Sequence, residues 1–201
     1  MRVEVRLALL FVLCLAFSTF ADSPRKIETD AFAGVIYQAS NIYIAGQPLN
    51  PKALKQMQDR GVVTVVNLRT PEEMKSQGPM AAEKEIVDAL GMNYVYLPSG
   101  GADYPYSPDT VKRFAKAVSE SSGSVLLHCA SGRRASHLWA AYLASEKGVP
   151  LEEAIRMAKQ VNFGSQPFEA FLGGCRREAV EGGRSPRIAE YAGSRATHGC
   201  L

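Results

Sequence analysis

The residues best able to do chemistry in this 201-residue chain stand together as His128-Cys129-Ala130-Ser131-Gly132-Arg133-Arg134. Ahead of them, Ser124-Val125-Leu126-Leu127-His128 is a short apolar run bounded by Gly123, and it reads as a buried strand. Behind them, Leu138, Trp139, Tyr142 and Leu143 recur at helical spacing up to a stop at Gly148. Cys129 therefore falls where a strand ends, before a loop of small residues and the start of a helix. That arrangement aims several backbone N–H groups and the positive end of a helix at one point, which makes an anion site. The same field favours a thiolate, the form in which cysteine is a nucleophile. Arg134 can close the site with a planar, two-pronged grip on a tetrahedral oxyanion. Ser131 or Ser136 can donate a hydrogen bond to sulfur, although Ser136 is also placed to cap the helix. The chemistry these types and spacings fit is attack by sulfur on phosphorus.

The stretch HCASGRRAS resembles the phosphate-binding loop of cysteine-dependent tyrosine and dual-specificity phosphatases, whose pattern is H-C-x5-R-[ST]. Residue 135, where that pattern has its arginine, is alanine, and Arg134 gives a loop one residue shorter, C-x4-R. A bacterial branch is more similar: the tyrosine-phosphatase-like domains named after beta-lactamase-hydrolase-like proteins, with a loop of roughly H-C-x-S-G-x-R. That branch also shows an I-x-G-Q-P stretch, here Ile44-Ala45-Gly46-Gln47-Pro48. Its N-L-R-x-x-x-E stretch is here Asn67-Leu68-Arg69, followed by Glu72 and Glu73. The resemblance runs from about residue 40 to 145.

The resemblance implies a phosphate monoesterase working through a phosphocysteine, with Cys129 as nucleophile. Arg134 would bind the phosphoryl group together with Ala130, Ser131, Gly132 and Arg133. It further implies an aspartate general acid on a loop at the same sheet edge, and Asp103 in Gly100-Gly101-Ala102-Asp103-Tyr104-Pro105 is the candidate. The partner is a phosphorylated protein or small molecule, and no cofactor is called for. Two other classes stay open. A sulfurtransferase of the rhodanese type also carries a cysteine on a loop after a strand, and a shorter loop suits a smaller group. An inactive phosphate-binding module follows if Arg134 points away.

Other polar residues have duller readings. Glu72 and Glu73 suit a helix start, in a loop that can also face the pocket. Arg69 is placed to pair with one of them or to reach substrate. Asp109 suits the first turn of a helix. His128 neighbours Cys129 but faces the opposite way along a strand, so it orients the loop rather than acting as a base. His137 and His198 carry no partner pattern, and no set of residues has metal-ligand spacing.

Residues 1–21 read as a secretory signal: Arg2 and Arg6 flank an apolar core from Leu7 to Phe17, and Thr19-Phe20-Ala21 offers a cleavage site. The apolar run is shorter than the roughly 20 residues that span a bilayer. The mature protein is thus expected to be periplasmic or secreted and off the membrane. The net charge of +3 comes from the two ends, because residues 22–181 hold 18 basic and 18 acidic side chains. A neutral body argues against nucleic-acid binding. The Gly-, Ser- and Arg-rich stretch 182–201 reads as a disordered tail. Cys129, Cys175 and Cys200 remain after cleavage, an odd number that does not suggest a disulfide framework. Cys175 reads as helix packing.

The body, residues 22–181, alternates. Strands are expected at 41–45, 62–68, 94–97 and 124–128. Helices are expected from Asn50-Pro51, at Thr70–Glu73, from Pro79 to Leu90, from Ser107-Pro108, after the cysteine loop, and from about Leu151 and Pro167. This predicts a single α/β domain with a mainly parallel central sheet and helices on both faces, like that of the cysteine phosphatases. Ligands of such sheets bind beyond the carboxyl ends of the strands, where Cys129 is placed.

Overall fold

The computed structural model describes residues 23–76, 80, 82–165 and 168–173. The expected signal (1–21), tail (182–201), Cys175 and Cys200 lie outside the described residues, as do Pro79 and Pro167. The body is one α/β layer structure around a six-stranded sheet of order β1-β2-β3-β6-β4-β5. Strands β3 (Ile42–Ala45), β6 (Ser124–His128), β4 (Val62–Asn67) and β5 (Asn93–Tyr96) run parallel. The sheet carries an antiparallel margin that the sequence pattern did not announce, β1 (Arg25–Lys26) and β2 (Ile36–Ala39). The β2–β3 turn at Ser40-Asn41 lacks the glycine that usually marks a tight hairpin. Ser40 itself takes the positive φ of 53°.

Helices cover both faces. Alternate residues of the central strands split between two cores, as a period of two requires. Ile44, Val66, Val125 and Leu127 face a core completed by α4 (Pro108–Glu120), α5 (Arg133–Glu146), α6 (Leu151–Val161) and α7 (Phe168–Phe171). Ala45, Val65 and Leu126 face the smaller core of α1 (Pro51–Asp59) and α3 (Glu83–Ala89). Strand β6 is buried from Val125 to His128, as befits a strand covered on both sides.

Helix starts follow local chemistry. The Asn50 side chain accepts the Ala53 N–H with Pro51 in the first position, and Ser107 and Pro108 do the same for α4. Thr70 and Glu73 form the expected reciprocal capping box of the short α2 (Pro71–Lys75). Helix α5 is buried without interruption from Ala135 to Ala144, so it is a core helix rather than an amphipathic one. Among the described residues, no helix is long and apolar enough to cross a membrane.

Candidate active site

Strand β6 ends at His128, Cys129 follows it, and α5 begins at Arg133. Gly132 is the residue before the helix and sits in the left-handed region, φ 86°, with no side chain capping the first turn. Its N–H donates to Cys129 Sγ at 3.2 Å, a contact that suits a sulfur carrying negative charge. The thiol is otherwise enclosed, with the residue only 1% exposed.

The loop is held from two sides. The Cys129 N–H donates to Ala45 O at 3.3 Å and the Gln47 N–H to Ala130 O at 3.2 Å, so Ile44-Ala45-Gly46-Gln47-Pro48 forms its flank. Gly46 is required there, because a Cβ would lie 1.6 Å from the carbonyl oxygen of Ala33 in the strap that crosses it. On the far side Asn162, at the end of α6, donates its amide N–H to Ser131 O at 2.8 Å. The Ser136 hydroxyl donates within α5, to Arg133 O at 2.8 Å, rather than capping the helix.

Arg134 turns into the fold and Arg133 does not. Arg133 is exposed, its side chain lying against Gly164. Arg134 Nη1 donates to Leu68 O at 3.2 Å and to Ser99 O at 2.7 Å, while Nη2 donates to Glu73 Oε1 at 2.5 Å. Gly100 leaves room for it, since a Cβ there would come within 3.3 Å of Nη1. Three of the five guanidinium N–H groups are thereby fixed on protein. The Nε–H and the second Nη2–H have no partner among the described residues, and a guanidinium with these two donors left over can offer them to the oxygens of an oxyanion.

Electrostatics follow the geometry. Burial pulls the Glu73 carboxyl upward, but the bonds from Arg134 and from the Thr70 N–H, with the charges of Arg134 and Arg69, hold it below the usual carboxylate range. Burial opposes the charge on Arg134, and the hydrogen bond and charge of Glu73, with the neighbouring Cys129, outweigh it, so its pKa is raised. Tyr106 is pushed up chiefly by burial, Arg134 pulling against it and Cys129 and Glu73 adding to it. Its ring packs on Phe171, 4.6 Å between centroids, and forms an aromatic side of the site.

A second polar cluster is buried behind the loop. Arg69 does not pair with Glu72 or Glu73; it is paired with Glu83 of α3. Glu83 Oε1 also lies 2.7 Å from His128 Nε2, and Arg69, Glu83 and His128 are all fully buried. Asp103 lies exposed in the turn closed by the Gly100 N–H on Tyr104 O, and its carboxylate has no hydrogen-bond or ion-pair partner among the described residues. No group of His, Cys, Asp or Glu among the described residues could hold a metal ion. Sequence reasoning missed the roles of Glu83, Ser99 and Asn162. None stands near Cys129 in the chain, and only the register of neighbouring elements brings them there.

Comparison with known proteins gives a family and a fold. A family model described as beta-lactamase hydrolase-like protein, phosphatase-like domain, matches residues 38–145, which hold the whole cysteine loop. The beta-lactamase hydrolase-like protein of Xylella fastidiosa (strain Temecula1) is 33% identical over 97 residues, 48% of this chain and 22% of that protein. The chain spans about a fifth of the length of the curated relatives it matches. A proposed phosphatase of Neisseria meningitidis Z2491 is 27% identical, with a TM-score of 0.50 over 60% of this chain and 82% of that one. A proposed phosphatase of Shewanella putrefaciens CN-32 shares the fold at 24% identity, with a TM-score of 0.54 over 71% of this chain and 90% of that one.

Proposed function

Because the chain belongs to the family of phosphatase-like domains of beta-lactamase hydrolase-like proteins, we propose that it is an exported, cysteine-dependent phosphatase of phosphate monoesters. The observation that supports this reading is a loop N–H aimed at the Cys129 sulfur together with Arg134, whose charge Cys129 influences and which keeps two N–H groups without a partner among the described residues. In the first step Cys129 Sγ attacks phosphorus and the P–O ester bond breaks. The bond pair goes to the leaving oxygen, and Asp103 donates the proton that makes it an alcohol. In the second step water attacks the phosphocysteine, Asp103 takes a proton from it, and inorganic phosphate leaves the thiolate restored.

Loop N–H groups and the Arg134 fork stabilise the charge on the equatorial oxygens in both steps. Residues 1–21 as a cleaved signal place the work in the periplasm or outside the cell. The test is hydrolysis of an aryl phosphate by the full chain, run beside a thiosulfate-to-cyanide assay. Activity in the first is expected, and activity only in the second would establish a sulfurtransferase instead. Fractionation of the producing cells tests export, and a cytoplasmic product with its N-terminus intact would refute it.

A further inference from the structure

Arg69, Glu83 and His128 take no part in the chemistry above, yet they are fully buried beside the nucleophile. Two ionised groups withdrawn from water are a poor source of stability, because their desolvation offsets most of their attraction and apolar side chains of similar size often serve as well. What a carboxylate offers, and a leucine does not, is direction. Glu83 uses its two oxygens on two different chain segments. Oε2 holds Arg69, just beyond β4, and Oε1 holds His128, the last residue of β6. Asn67 Oδ1 accepts both the Arg69 backbone N–H, at 2.9 Å, and its Nε–H, at 3.2 Å, so the arginine cannot swing.

Between these anchors lies the Leu68 peptide. Its N–H donates to His128 O at 2.9 Å, one residue from Cys129. Its carbonyl accepts from Arg134 Nη1 at 3.2 Å and from the Ser99 N–H at 3.0 Å. One arm from Glu83 thus runs through His128 to the nucleophile. The other runs through Arg69 and the Leu68 carbonyl to the arginine fork.

We propose that Glu83 is a positioning residue that sets Cys129 relative to Arg134 through His128 and Arg69. The proposal rests on the phosphatase reading for its catalytic consequence, but the geometry it asserts does not depend on turnover. A reacting pair must be held to within a fraction of an ångström, and a misplacement of about 1 Å costs on the order of a hundredfold in rate.

The test uses the full chain carrying Arg69→Met with Glu83→Leu, which removes both charges together, and Glu83→Gln as a second variant of unchanged shape. Circular dichroism and thermal unfolding establish the fold of each. Turnover of an aryl phosphate and the rate of alkylation by iodoacetamide, with and without inorganic phosphate, read the site. A folded double variant should lose on the order of a hundredfold in kcat, with a much smaller change in KM. Its Cys129 should alkylate about tenfold more slowly, since the donors around sulfur are displaced, while phosphate still protects it. Should the double variant fail to fold, Glu83→Gln should show the same split in smaller measure. Wild-type kcat and alkylation rate in a folded variant would overturn the proposal. If the unaltered chain hydrolyses no aryl phosphate, the phosphatase reading fails, and an unchanged alkylation rate in the variants then sinks the positioning role separately.

Discussion

Glu73 and Arg134 form an ion pair of 2.5 Å that ties the first turn of α2 to the mouth of the cysteine loop. The carboxylate has two tasks at once. Oε2 accepts the Thr70 N–H at 2.8 Å and Oε1 accepts from Arg134, so the helix cap fixes the direction from which the guanidinium is held. The donors left over on Arg134 are therefore pre-aimed, and in the proposed site less side-chain freedom would be lost on binding phosphate.

Glu73→Gln should weaken this hold and lower kcat for an aryl phosphate by about tenfold, the loss of one charge-assisted hydrogen bond. Stability carries a pH signature as well. A carboxyl held below its ordinary range stabilises the fold fully above its unfolded value of about 4.3, and loses that contribution as pH falls through the lower folded value. Urea titrations of wild type and Glu73→Gln should differ by a constant amount above about pH 5 and converge at more acid pH. Curves that converge instead toward alkaline pH would contradict the assignment.

The two adjacent arginines should separate cleanly. Arg134→Ala removes the fork and should cost about 3–4 kcal/mol in the transition state, roughly a hundred- to thousandfold in kcat. Arg134→Lys keeps charge but not geometry and should recover little of it. Arg133→Ala should change the rate by less than about tenfold, because an exposed, screened charge contributes little. Steady-state kinetics of the three variants decide this, and the reverse ranking would reassign the loop.

Asp103→Asn should slow esters of poorly leaving alcohols far more than nitrophenyl phosphate, whose leaving group departs without a proton. The exposed position of Asp103 makes this comparison of leaving groups the proper test of its role. Equal losses on both substrates would remove it from the proton transfer.

Glycine at 46 and at 61 should respond differently to alanine. At Gly61, φ is +83° and no atom of the described residues lies within 4 Å of a new Cβ, so the cost is backbone strain of about 1 kcal/mol. At Gly46 the Cβ would meet a backbone carbonyl at 1.6 Å, and the strap over the loop must move. Chemical denaturation should show the larger loss for Gly46→Ala, with activity falling too. A catalytically normal Gly46→Ala would mean that the strap does not shape the site.

Much of this arrangement was legible in the sequence, and the reason is local. A strand, a small-residue loop and a helix in immediate succession fix where Cys129 stands, and Thr70 to Glu73 spells out its own cap. The four parallel strands announce themselves by continuous apolar runs. What could not be read depends on register between distant segments. Glu83 reaches His128 across 45 residues and Arg134 reaches Glu73 across 61, and neither pairing leaves a periodic trace. Arg69 has acidic neighbours three and four residues on, yet both are spent elsewhere or exposed, and its partner comes from α3. The antiparallel margin was hidden by the two-residue length of β1 and by a β2–β3 turn made without glycine.

The central claim, that the phosphoryl group passes through Cys129, is tested most directly by acid quench of the full chain during turnover of an aryl phosphate, followed by peptide mass spectrometry. The account predicts a phosphoryl adduct on the peptide containing Cys129. It should be absent from Cys129→Ser, which loses turnover but still binds vanadate through the loop N–H groups and Arg134. Undiminished turnover by Cys129→Ser, or an adduct on another residue, would contradict it.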